Sequence, residues 1–169
     1  MADNKILFSR QLVHPVVLIS VSDGDKENIA TMAWVMSVSS DPPLLIVAVS
    51  PKRYSHDLIL KAGEFGIMVL TDQQKELSTI AGTSSGEETN KWELEPFRCL
   101  RKQASIIKAP LLKNCLAVYE CKLVNHVRTG DHTLFIGEIL YSDVNENLQP
   151  LILFDRKYFK IGDFISCYP

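Results

Sequence analysis

At 169 residues, 46% hydrophobic and 22% charged, the chain reads as one soluble domain, long enough to bury a core without disulfides or a metal to staple it. A formal net charge of −2, with no acidic or basic block, disfavours nucleic acid or an anionic membrane as the main partner. No apolar run nears the ~20 residues of a bilayer span. The opening MADNKILFSRQLVHP lacks the apolar core and cleavage site of a signal peptide, so a cytoplasmic location is expected.

In chain order, residues 15–21, PVVLISV, are apolar and β-branched. Ser22-Asp23-Gly24-Asp25 is a turn signal, and residues 28–36, NIATMAWVM, resume an extended pattern, which predicts a hairpin. A polar stretch, SVSSDPP, is expected as a loop, with Pro42-Pro43 at the entry to a strand, PLLIVAVS, that ends at Ser50. Ser55 is the expected cap of a short helix with Leu58, Ile59 and Ala62 on one face and Gly63 as its stop. After a strand FGIMVL, Thr71 and Gln74 match a capping box for a second helix that carries Leu77, Ile80 and Ala81 and ends at Gly82. Residues 82–105 are the least regular part, and a stretch of that length is usually functional or disordered. Residues 115–127 and 133–144 form a long hairpin about the turn RTGDH, followed by short extended pieces LILF and KYFKIG. Strands that follow one another directly, with two inserted helices, predict a mainly β fold with short helices, a closed barrel rather than an open parallel sheet.

Four segments carry candidate chemistry. In residues 28–43 the small Ala30 and Ala33 would let a flat ligand approach the backbone, and the hydroxyls of Thr31, Ser37 and Ser39 would reach polar ligand atoms. Read alone, the segment is more readily an ordinary strand followed by a polar turn. In Ser50-Pro51-Lys52-Arg53-Tyr54-Ser55-His56, a strand end meets a helix start, where unpaired N–H groups, the Arg53 fork and the Ser55 hydroxyl suit a phosphate. The plainer alternative is a helix cap with solvated cations. Gly82-Thr83-Ser84-Ser85-Gly86, with Lys91 beyond, offers small residues, hydroxyls and a cation, but lacks P-loop spacing and also fits a surface loop. In residues 129–138, Gly137 inside a strand signals a bulge or a close approach, and His132 is either a donor to a bound ring or a satisfied turn histidine.

Cys99, Cys115, Cys121 and Cys167 form no C-x-x-C pair, and no histidine lies at zinc-site spacing. They are expected as buried free thiols, with Cys115 and Cys121 on the same face of one strand, a redox or metal role being the alternative. No nucleophile elbow, carboxylate pair or metal motif stands out, which favours chemistry borrowed from a cofactor.

HPVVLISVSD, NIATMAWVMSVSSDPPLLIVAVSPKRYSHDLI, EFGIMVL and GDHTLFIGEI, in this order, resemble the flavin-reductase-like, FMN-binding split-barrel family, and within it the flavoredoxin-type proteins. The resemblance covers roughly residues 10–160, and the whole chain is taken as one such domain, 1–169. It implies a six-stranded antiparallel Greek-key split barrel that forms a homodimer, with FMN near the interface. It implies that Thr31, Met32, Ala33 and Trp34 line the flavin ring and that Ser37 and Ser39 lie beside it. Ser50, Arg53 and Ser55 would hold the ribityl chain and phosphate, with Thr83, Ser84, Ser85 and Lys91 in a nearby loop. His132 would stand where a nicotinamide stacks. Trp34 departs from the small serine or threonine common at that position in dedicated flavin reductases. Two activities follow. One is an NAD(P)H-dependent flavin reductase; the other is an FMN electron-transfer protein that exchanges electrons with a redox protein. A relative binding haem or a deazaflavin, and a barrel acting only as an interaction module, are the remaining alternatives.

Overall fold

The computed structural model describes residues 8–168; the N-terminal reading of residues 1–7 lies outside them. The strands are β1 (His14–Pro15), β2 (Val17–Ser22), β3 (Glu27–Met32), β4 (Val35–Ser40), β5 (Pro43–Val49), β6 (Glu64–Val69), β7 (Arg101–Lys102), β8 (Leu111–Leu112), β9 (Ala117–Thr129), β10 (His132–Val144), β11 (Ile152–Phe154) and β12 (Lys157–Phe159). The helices are α1 (Tyr54–Ala62), α2 (Lys75–Thr83) and α3 (Phe97–Leu100). The main sheet is antiparallel throughout, in the order β3-β2-β6-β9-β10-β5-β4. Its edge strands, β3 and β4, are consecutive in the chain and separated only by Ala33 and Trp34. One bent strand thus supplies both edges. Counted as one, it leaves six strands curled into a barrel, and the fold is mainly β with few short helices, as expected.

β2 is buried along its whole length because it sits inside the sheet with apolar layers on both faces. Val17, Ile19 and Val21 join Val47, Phe65, Ile67 and Phe135 in one cluster. Leu18 points the other way, with Met68, Leu77, Trp92, Phe97 and Leu111. Two-sided burial is why this strand reads as a continuous apolar run rather than an alternating one. The β9–β10 hairpin forms as expected, and its turn is permitted by Gly130 at φ 55°. The ladder shifts register between Ile136 and Gly137. A Cβ on Gly137 would lie 2.6 Å from Phe65 Cζ, so close approach requires glycine there.

Several expectations are corrected. SVSS is not a loop but most of β4. It is an edge strand that pairs only with β5 through backbone groups and carries a bulge between Ser37 and Ser39, so polar side chains do not oppose it. Ser55 does not cap α1. The cap position is Arg53, with no side-chain capping bond, and Ser55 lies inside the first turn. Gly63, at φ 68°, does end α1. Gln74 Oε1 accepts the Thr71 N–H at 3.0 Å, one half of a capping box, but α2 starts only at Lys75 and runs past Gly82 to Thr83. Cys115 precedes β9 and Cys121 lies within it, so the two join different clusters rather than one face. Both are buried free thiols, and burial pushes each up to about 12. Cys99 and Cys167 are exposed, against expectation.

Candidate functional site

Three segments distant in sequence converge on one open cleft of about 240 Å³. β3 supplies its floor through Asn28, Ala30, Thr31 and Met32. The β5–α1 junction supplies one wall through Lys52, Arg53, Tyr54 and Ser55. The C-terminal end of α2 and the loop beyond it supply the other through Thr83, Ser84, Ser85, Gly86 and Lys91. The fold brings the walls together because β3 is one half of the bent strand, the other half, β4, pairs with β5, and α2 packs on β3. Thr31 Oγ1 donates to the Ser78 carbonyl of α2 at 2.6 Å, which ties floor to wall. Gly82 sits over Thr31, where a Cβ would be 3.4 Å from its side chain.

The polar groups of the cleft are unequally satisfied. Asn28 is 3% exposed, and its Nδ2 donates to Ser55 Oγ at 2.8 Å, but its Oδ1 has no partner. A buried acceptor left unpaired costs about 1–3 kcal/mol unless a ligand or water supplies a donor. Lys91 is also 3% exposed. Asn90 caps its short turn, its Oδ1 accepting the Trp92 N–H at 3.1 Å, and Trp92 is buried in the core beside Phe97. Lys91 Nζ donates to the carbonyls of Ala81 at 3.1 Å and Ser84 at 3.2 Å. Burial pushes its ammonium down to about 8. Arg53 is exposed at the head of α1, whose first-turn amides lack partners within the helix. A second hollow of about 300 Å³ shares Lys52, Arg53, Tyr54 and Glu87 with the cleft. There Lys61 already pairs with Asp23 at 2.6 Å, which lowers the Asp23 carboxyl to about 2.

Of the expected site residues, Thr31, Met32, Arg53, Ser55, Thr83, Ser84, Ser85 and Lys91 line this cleft. Not every hydroxyl is free: Thr83 Oγ1 donates to the Thr79 carbonyl at 2.8 Å, and Ser85 Oγ accepts the Glu87 N–H at 3.3 Å. Ala33, Trp34, Ser37, Ser39, Ser50 and His132 do not line it. The Ser50 carbonyl instead accepts the Arg53 N–H at 2.9 Å and shapes the turn into α1. Ser37 and Ser39 lie on β4, beyond the bend. Trp34 and His132 form a separate pair, with ring centroids 4.6 Å apart, and His132 Nδ1 bonds Asp131 Oδ1 at 2.8 Å. The residue passed over was Asn28. A polar side chain among the apolar residues of a strand, three positions before Thr31, was its only signal. Its burial and orphaned oxygen appear only in three dimensions.

The residues fit a flavin nucleotide. The cationic wall and helix head suit a phosphate, Asn28 Oδ1 suits a ribityl hydroxyl, and Ala30, Gly82 and Gly86 keep the walls low. Among the described residues no group of three or more histidine, cysteine, aspartate or glutamate side chains could hold a metal.

Comparison with known proteins gives concordant results. The family model described as "Flavin reductase like domain" matches residues 8–162. An uncharacterised protein of Archaeoglobus fulgidus is 42% identical over 121 residues, covering 72% of this chain and 67% of that protein. The reductase component of an FADH(2)-dependent resorcinol hydroxylase from Rhizobium sp. is 30% identical, covering 84% of this chain and 76% of its own. Among solved structures, flavoredoxin from Methanosarcina acetivorans superposes with a TM-score of 0.85 at 24% identity, covering 99% and 93% of the two chains. An FMN-binding protein from Thermus thermophilus superposes with a TM-score of 0.82 at 26% identity, covering 93% and 91%.

Proposed function

The chain belongs to the flavin reductase-like domain family, and from that premise we propose that it is an FMN-binding oxidoreductase that takes hydride from NAD(P)H, built as one domain over residues 1–169. The observation that carries this reading is the cleft itself: Arg53, Ser55 and the cation Lys91 line it together with Asn28, whose Oδ1 is left without a partner. Arg53 and the head of α1 hold the phosphate. Asn28 and Ser55 orient the ribityl chain, and Thr31 and Met32 support the ring. FMN, when bound, supplies a hydride acceptor, so the protein needs no acid–base pair of its own and contributes binding, orientation and electrostatics. His132 and Trp34 are the candidates to meet the nicotinamide. A homodimer accords with β4, where Met36 and Val38 are exposed, and with Phe164 and Ile165 in the C-terminal segment; that apolar surface is what a second copy would cover.

A second reading, an FMN electron-transfer protein served by a redox partner, is favoured by one contact. Trp34 already packs against His132, ring centroids 4.6 Å apart and tilted by 43°, and the pair would crowd a nicotinamide stacking there. Anaerobic titration of the FMN-reconstituted protein with NADH and then NADPH separates the two. Rapid bleaching of the flavin band supports the reductase and names its donor. A flavin that stays oxidised until dithionite is added refutes it in favour of electron transfer.

A further inference from the structure

Lys91 is the unusual group of the molecule. A buried charge is ordinarily answered by an opposite one. Charged side chains on the surrounding elements include Lys52 and Arg53 at the head of α1, Glu87 in the preceding loop, Glu93 on its own turn, Lys75 and Glu76 at the far start of α2, and Glu27 on β3 with Arg101 on β7, which pair with each other at 2.9 Å. None of them offsets the burial of Lys91, and burial alone sets the direction of its shift. The hydrogen bonds of Nζ explain how the group is tolerated. A neutral amine has two N–H donors and an ammonium three. Two carbonyls, those of Ala81 and Ser84, accept from Nζ. Both N–H groups of the amine are therefore answered by the protein, and neither carbonyl is left for the third N–H that the ammonium adds, which an anion in the cleft that Lys91 lines would answer.

We propose that Lys91 is a proton-coupled anion latch, which meets the phosphate monoester of a bound ligand as an ammonium, so that above neutral pH the phosphate and a proton are taken up together. The proposal rests on the FMN reading for the identity of that ligand. The ester stays a dianion above its second pKa of about 6, so the ligand's own charge is constant between pH 7 and 9. The free lysine, titrating near 8, is mostly protonated at pH 7 and about one-tenth protonated at pH 9. The ligand's anion raises that value in the complex. Affinity is thus highest near pH 7 and declines as pH rises through 8.

The test is a fluorescence titration of the protein with FMN and with riboflavin at pH 7 and pH 9. Glycerol 3-phosphate, a monoester whose charge is likewise constant over this range, is titrated in parallel by thermal shift, and all three ligands are repeated on K91M. The expected result is a roughly tenfold loss of FMN affinity from pH 7 to 9, with no matching loss for riboflavin, which carries the same ring. K91M should bind FMN more weakly at pH 7 and show no such decline. Calorimetry of the unaltered protein at pH 8.5, in two buffers of different ionisation enthalpy, should show uptake of most of a proton with FMN, which keeps the test sound if K91M folds poorly. A level FMN affinity in the unaltered protein, an equal decline for riboflavin, or a decline retained in K91M overturns the latch and leaves the flavin reading standing. If FMN fails to bind while glycerol 3-phosphate binds with the expected decline, the flavin reading falls and the latch stands. If neither binds, both fall.

Discussion

Replacing Arg53 with alanine tests the polarity of the cleft, because it asks which end of a flavin faces the β5–α1 wall. Arg53 lines the cleft at the cap position of α1, and its own backbone is held by the turn from Ser50. Truncating its side chain therefore removes a guanidinium without disturbing the helix start. A hydrogen bond to a charged group contributes about 1.5–3 kcal/mol. Arg53 is exposed, so solvent screening puts the effect at the lower end, about 1.5 kcal/mol, or roughly tenfold in Kd. The assay is fluorescence titration of R53A with FMN and riboflavin at low salt and neutral pH. FMN should weaken roughly tenfold and riboflavin less than about twofold, because riboflavin has no phosphate for the guanidinium to meet. Added salt should narrow the difference between R53A and the unaltered protein, as expected of an exposed charge. Equal losses for the two flavins would remove Arg53 from the phosphate end and reverse the proposed orientation.

Two further predictions concern the scaffold. Glu120 is 1% exposed and accepts three backbone N–H bonds, from Ser105 at 2.8 Å, Ile106 at 2.6 Å and Ile107 at 3.0 Å. E120Q keeps the shape but sets an amide N–H against at least one of these donors. The expected cost is about 2–3 kcal/mol, a fall in Tm of about 4–12 °C by calorimetry, and an unchanged Tm would refute the anchoring role. A thiol reagent at pH 8 should modify Cys99 and Cys167 in the native protein and reach Cys115 and Cys121 only after denaturation, since burial holds those two at about 12. Rapid native modification of all four would refute their burial.

The local order of elements was legible because its causes are local. β-branched runs between turn residues mark β2, β5, β6, β9 and β10, and Gly63 and Gly130 take the positive φ that ends α1 and closes the β9–β10 hairpin. The β5–α1 wall of the cleft was legible for the same reason, since a cation and a hydroxyl at a helix start are neighbours in sequence. What failed depended on partners. SVSS reads as loop because nothing in its side chains says that β5 will pair with it. Ser55 reads as a cap because its true partner, Asn28, lies 27 residues away. Cys115 and Cys121 read as one face until the start of β9 divides them.

The sequence by itself determined that this chain is a mainly β domain with short helices and that its cations and hydroxyls gather at a helix head and a small-residue loop. Patterns of period two, turn residues and caps are properties of a few adjacent residues. Only the tertiary structure decided that α2 lies on β3 so that Lys91 is buried against the Ala81 and Ser84 carbonyls, that Asn28 keeps a buried oxygen free, and that Trp34 packs against His132 outside the cleft. Burial, orphaned hydrogen-bond capacity and a lowered ammonium pKa each depend on which distant segment displaces the water, and the antiparallel pairing of the whole sheet sets that.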